Sequence, residues 1–162
     1  MNICEETVHL GIKYGNSMVY VETIEGPHAI GANASHFDLP IYASAIGRVV
    51  LAFLPQFELE DILNNITFES ITPQTIKSKE QLLDEIQIIK ENGFAVNNQE
   101  IEIGEICVAV PVFNNRNYPI ASISVSGPAF RMTDERISFI AQQSIIVAKK
   151  LSLQLGSDSS LF

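Results

Sequence analysis

Two runs of β-forming residues, Cys107 to Phe113 and Ile120 to Val125, flank the polar stretch Asn114-Asn115-Arg116-Asn117. A short polar turn between two such runs folds the chain back on itself, so the strands are neighbours and antiparallel. In the second strand Ser122, Ser124 and Ser126 occupy every other position. A strand alternates its faces with period two, which puts the three hydroxyls on one face. Cys107 opens the first strand, and the acid-rich loop before it contains Asn97. Together these residues predict a small polar pocket on an otherwise apolar sheet, better suited to a small oxygen-rich ligand than to a large apolar one.

The rest of the chain supplies a sheet and its cover. Val8, Leu10 and Ile12 alternate with polar residues, pass through a turn at residues 14–17, and are followed by a β-rich run from Met18 to Ile24. That pattern predicts a second hairpin, and Gly26-Pro27 ends it. His28 to Ala34 reads as a third strand, followed by a loop over residues 35–38 that leads into Leu39-Pro40. From Ser44 the apolar spacing turns helical until Pro55, and a short acidic helix follows from Phe57 to Asn64. Ser78-Lys79-Glu80-Gln81 has the form of a capping box ahead of a helix through Leu82, Leu83, Ile86 and Ile89, which Gly93 stops. Thr133 caps a long last helix with an apolar stripe at Ile137, Ile140, Ala141, Ile145, Ala148 and Leu151, and Gly156 ends it. Hairpins outnumber strand–helix–strand units, so the expected class is α+β, a mostly antiparallel central sheet flanked by helices.

Charge removes one class of function. The chain has 10 basic and 19 acidic residues, a formal net charge of −9, and only Lys149 and Lys150 among its basic residues are adjacent. Binding to a phosphate backbone needs a basic footprint, so this chain alone is not expected to bind DNA. No apolar run approaches the ~20 residues of a membrane span, and the first residues lack a basic leader, so no membrane is expected and the location is read as cytoplasmic. Cys4 and Cys107 are read as reduced thiols. His9, His28 and His36 have no metal-ligand spacing, so neither a metal nor a cofactor is expected. The cluster Glu100, Glu102 and Glu105 reads as a solvated loop face.

Two stretches in register resemble a known family. Leu39-Pro-Ile-Tyr-Ala-Ser-Ala-Ile-Gly-Arg-Val-Val-Leu-Ala52 is similar to the segment leading into the first long helix of the effector-binding domain of IclR-type transcriptional regulators. Gly93-Phe-Ala-Val96, then Glu100 to Cys107, then Ala121-Ser-Ile-Ser-Val-Ser-Gly-Pro128 resembles that family's second signature. The resemblance covers about residues 5–156 and implies a GAF-like effector-binding domain over residues 1–162. It also implies a small-molecule effector bearing a carboxylate, a homodimer or tetramer, and DNA contact only through an N-terminal winged helix-turn-helix absent from this chain.

Carried over position by position, the family's pocket falls on Ala29, Ala32, Ala45, Ile46, Asn97, Cys107, Ser124 and Ser126, with no catalytic residue. Ala45 and Ile46 open a helix whose first amides lack acceptors, a ready site for a carboxylate. Ser124 and Ser126 would donate to the same ligand, Cys107 would form a soft wall, and Ala29 and Ala32 an apolar side. Asn97 stands where many acid-binding relatives carry Asp, which makes it the residue expected to set what the pocket accepts. Two other readings use the same residues: a thiol enzyme with Cys107 as nucleophile, and a stand-alone metabolite sensor acting on a protein partner.

Overall fold

The computed structural model describes residues 4–27 and 38–158. Among them six strands form one sheet in the order β3-β2-β1-β6-β5-β4. These are β1 (Thr7–Tyr14), β2 (Ser17–Ile24), β3 (Leu39–Pro40), β4 (Ala95–Asn98), β5 (Glu105–Phe113) and β6 (Pro119–Pro128). Every pairing is antiparallel. Both predicted hairpins are present, β1–β2 and β5–β6. The long pairing of β1 with β6, Thr7 against Ser126 through Gly11 against Ser122, joins them. That pairing spans more than a hundred residues of sequence and fuses two local units into one surface.

Among the described residues there are four helices, α1 (Ala45–Phe53), α2 (Gln56–Asn65), α3 (Lys79–Asn92) and α4 (Asp134–Gln154), of which α1 and α4 lie against the sheet and α3 packs on α1. Their ends follow local chemistry. Ser44 Oγ accepts from Gly47 N at 3.2 Å, Ser78 Oγ from Gln81 N at 3.3 Å, and Thr133 Oγ1 from Arg136 N at 3.3 Å, so three of the four helices begin on a hydroxyl cap. In the predicted capping box the return bond lands one residue early, because Gln81 Oε1 accepts from Lys77 N at 2.9 Å rather than from Ser78. Gly93 closes α3 in the left-handed region at φ 78°, where a side chain would be strained.

β5 is the hinge of the packing. Its even-numbered residues Ile106, Val108, Val110 and Val112 join Ile140, Ala141 and Ala148 of α4 in the core on one face. On the other face Ala109 joins Ile46, Val49 and Val50 of α1 and Leu82, Ile86 and Ile89 of α3. Burial on both sides explains why β5 reads as a nearly continuous apolar run rather than an alternating one. The sequence treats Leu39-Pro40 as a loop end, whereas it is a two-residue edge strand paired to Met18 and Ser17. Proline is tolerated there because an edge strand leaves one side of the ladder unpaired. The expected third strand from His28 to Ala34 lies outside the described residues, as do Ala29 and Ala32. No helix among the described residues is long and apolar enough to cross a membrane.

Candidate functional site

The register aligns polar groups in rows on the sheet face that α1 covers. One row runs Asn97, Cys107, Ser126, Thr7, and the next Ala95, Ala109, Ser124, His9, Thr23. A third holds Pro111, Ser122, Gly11 and Tyr20. Ser122, Ser124, Ser126, Asn97, Thr7 and His9 are all buried, a concentration of polar side chains unusual for a sheet interior. Sequence periodicity placed the serines; it could not place Thr7, His9 or Tyr20 beside them, because β1 and β2 arrive from the other end of the chain.

Most of these groups have partners. His9 Nδ1 lies 2.9 Å from Thr23 Oγ1 and the ring stacks on Tyr20, with centroids 4.2 Å apart. Cys107 Sγ is 3.1 Å from Ser126 Oγ. Two hydroxyls are exceptions: Ser122 Oγ and Ser124 Oγ are buried with no hydrogen-bond partner among the described residues. Leaving a hydroxyl dry and unpaired costs about 1–3 kcal/mol, so such groups call for an explanation. Across from them, Ser44 Oγ caps Gly47, but neither the Ala45 nor the Ile46 N–H has an acceptor among the described residues. Ile46 reaches the serine row directly, since a Cβ on Gly11 would lie 2.9 Å from Ile46 Cδ1 and 3.8 Å from Ser122 Oγ. The site thus offers unpaired donors from a helix start and from a strand.

Burial sets the protonation of the lining. It pushes the Cys107 thiol well above its ordinary range, Glu105 adds to the rise, and Ser126 and Arg48 offset only part of it. A nucleophilic cysteine needs the opposite shift, so this geometry disfavours a thiolate. The Tyr20 phenol is raised in the same way, by burial first and then by Cys107 and Glu105; the nearby Ser124 hydroxyl eases that rise without completing a hydrogen bond of ordinary geometry. His9 is lowered by burial from 6.5 to about 4. Its depressed value means the unfolded chain takes up a proton first as pH falls. Stability is therefore lost between the unfolded value of 6.5 and the folded value of about 4, and not further below. The full loss is ~3 kcal/mol, and urea melts at pH 7, 5.5 and 4 should show it. In His9→Gln that slope should flatten; an unchanged slope would assign the titration to another group.

A second network holds the loop between β4 and β5. Arg48 of α1 donates to both carboxylate oxygens of Glu100, at 2.7 and 2.9 Å, and to the Val96 carbonyl at 2.8 Å. Asn97 Nδ2 donates to the Ala43 carbonyl at 2.6 Å, and its Oδ1 accepts from Glu100 N at 3.1 Å. Thr75 and Thr72 hydroxyls hold the Glu100 and Gln99 carbonyls. Burial raises the Glu100 pKa above the ordinary carboxylate value, and Arg48 draws it back only in part. The expectation of a solvated acidic face is corrected here for Glu100, which is 8% exposed, while Glu102 and Glu105 lie at the loop and strand edge. Asn97 spends its amide on tying the loop to the turn before α1, leaving one N–H and one lone pair for anything else. Arg48 was missed, yet an arginine inside Ala45-Ile-Gly-Arg-Val-Val-Leu-Ala-Phe53 is itself the signal, because a charge in an apolar helix needs a buried partner. Among the described residues no group of three or more His, Cys, Asp or Glu could hold a metal ion.

A family model described as bacterial transcriptional regulator IclR C-terminal matches residues 1–153. The chain belongs to the IclR family. XynR of Escherichia coli K12, an HTH-type transcriptional regulator, is 37% identical over 152 residues, covering 93% of this chain and 60% of that protein. The crystal structure of Thermotoga maritima IclR superposes with a TM-score of 0.92 at 36% identity, covering 96% of this chain and 64% of that one. The C-terminal domain of the E. coli regulator KdgR gives a TM-score of 0.82 at 34% identity, covering 94% and 88%. The chain thus spans about three fifths of the length of the curated relatives it matches. These IclR relatives are transcriptional regulators rather than enzymes, and the α+β architecture is that of IclR C-terminal effector-binding domains.

Proposed function

We propose that this IclR-family domain senses a small carboxylate-bearing metabolite held between the start of α1 and the serine row of β6. The observation that carries the reading is the pair of buried, unpaired hydroxyls on Ser122 and Ser124 facing a helix whose Ala45 and Ile46 amides are also unpaired. A carboxylate satisfies both sets at once, since its two oxygens accept several hydrogen bonds and suit a helix N-terminus. Ser126 and Cys107 form the adjoining wall, and Asn97 acts at one remove, through the loop it ties to Ala43. Ala29 and Ala32 remain part of the proposed apolar side. The output is control of DNA binding by a separate N-terminal domain in a cytoplasmic homodimer or tetramer. Occupancy shifts that output only if the effector binds one arrangement more tightly than the other.

The test is a thermal-shift screen of small carboxylates, keto acids, sugar acids and aromatic acids. A ligand at 100 times its dissociation constant stabilises by ~2.7 kcal/mol. Ser124→Ala is expected to leave the free protein as stable as the parent, or about 1 kcal/mol more stable, because it deletes an unpaired hydroxyl. The same change should weaken the identified acid at least about tenfold. Wild-type affinity in both Ser122→Ala and Ser124→Ala would place the ligand elsewhere.

A further inference from the structure

The longest helix has a second apolar face. α4 lies on the sheet through Ile140, Ala141, Ser144, Ala148 and Ser152. Half a turn away, Phe139, Ile146 and Leu153 recur every seven residues and are 45%, 54% and 46% exposed. At a rise of 1.5 Å per residue the stripe runs about 21 Å. Glu135, Gln142 and Lys150 are exposed beside it. The helix is also charged unevenly, with Asp134 and Glu135 in its first turn and Lys149 and Lys150 toward its end.

We propose that this outer face of α4 packs against the same face of a second copy of the chain, with the two helices antiparallel. The inference rests on the reading that the domain self-associates, and it names the surface. Charge decides both orientation and occupant. A parallel pair would set acidic starts together, lysines together and the helix dipoles side by side. An antiparallel pair reverses all three. With Phe139 opposite Ile146 of the other copy, Glu135 of each copy lies opposite Lys150 of the other, and a two-fold axis passes between Gln142 and Gln143. A patch complementary to its own reverse is what a two-fold interface requires. Leu153 then extends toward the turn that precedes the other copy's helix, where Phe130 is 76% exposed. Elsewhere a molecule with a formal charge of −9 repels its copy, whereas Lys149 and Lys150 give an acidic helix start somewhere to approach.

Sedimentation velocity of the 162-residue chain across a concentration series reads the outcome. The parent is expected to run above the 17.9 kDa monomer. Ile146→Glu should run as the monomer with an unchanged circular dichroism spectrum. Lys150→Glu should weaken self-association at least tenfold, and Glu135→Lys combined with Lys150→Glu should restore it. A monomeric parent at 100 times the protein concentration of a typical binding assay would overturn self-association and this face together. An oligomeric parent whose mass survives Ile146→Glu would overturn the face alone, and failure of the double reversal to restore the parent's mass would overturn the antiparallel pairing.

Discussion

Glu100→Leu is expected to lower the unfolding free energy by about 3–5 kcal/mol, and Arg48→Met by less, with the difference widening in acid. The asymmetry follows from which charge is left behind. Arg48 is 1% exposed and its Nε already has no partner among the described residues. Without Glu100 the guanidinium keeps only the Val96 carbonyl, and an arginine side chain has no neutral form to fall back on in a protein. Without Arg48 the buried carboxyl has an escape, because burial already raises its pKa and Arg48 was the main influence drawing it down. A raised value in the folded state means the folded protein keeps a proton that the unfolded chain gives up, so stability falls as pH rises through the folded value. Arg48→Met should therefore regain stability in urea melts at pH 5 relative to pH 8, and Glu100→Leu should not. Replacing both residues with apolar ones should cost less than Glu100→Leu alone, since the penalty lies in the unpaired charge rather than in the loss of the pair. Equal losses at both pH values would show that the carboxyl does not titrate there.

That pair also marks where sequence reading stopped. The hairpins, the Ser78 and Thr133 caps and the Gly93 stop depend on neighbours within a few residues, and all were legible. The shared face of Ser122, Ser124 and Ser126 was legible too, because period two is a property of one strand. Whether those hydroxyls have partners is not such a property. Ser126 finds Cys107 on the next strand, while Ser122 and Ser124 find none, and only the assembled rows from β1 and β2 reveal the difference. Glu100 was misread for the same reason. Beside Glu102 and Glu105 it looks like part of a solvated run, and its true partner lies 52 residues earlier in α1. Asn97 was legible as a candidate for the pocket but not as a strut, since its acceptor Ala43 lies 54 residues away.

The second large effect is expected at Gly47, in the same helix. Alanine is the better helix former by about 1 kcal/mol, so a glycine inside α1 is kept against propensity. The reason is a close approach of backbone: a Cβ at Gly47 would fall on the Ile41 carbonyl oxygen and within 2.6 and 2.7 Å of the Ile41 Cα and C. A side chain can rotate away from such a clash, but a peptide cannot. The turn from Pro40 to Ser44 is further fixed by Ile41 N on the Asn16 carbonyl, Ser44 Oγ on the Pro40 carbonyl and Asn97 Nδ2 on the Ala43 carbonyl. Gly47→Ala should therefore cost at least about 3 kcal/mol, at the upper end for overpacked interiors. It should also displace the Ala45 and Ile46 amides, so an effector found by thermal shift should lose most of its binding even where the variant remains folded. Gly11→Ala provides the graded comparison. There the added methyl meets the flexible end of Ile46 at 2.9 Å, so a smaller loss is expected. If Gly47→Ala instead melted like the parent and bound the effector as tightly, the turn before α1 would have freedom that its hydrogen bonds do not allow, and the helix start could not be the rigid half of the site.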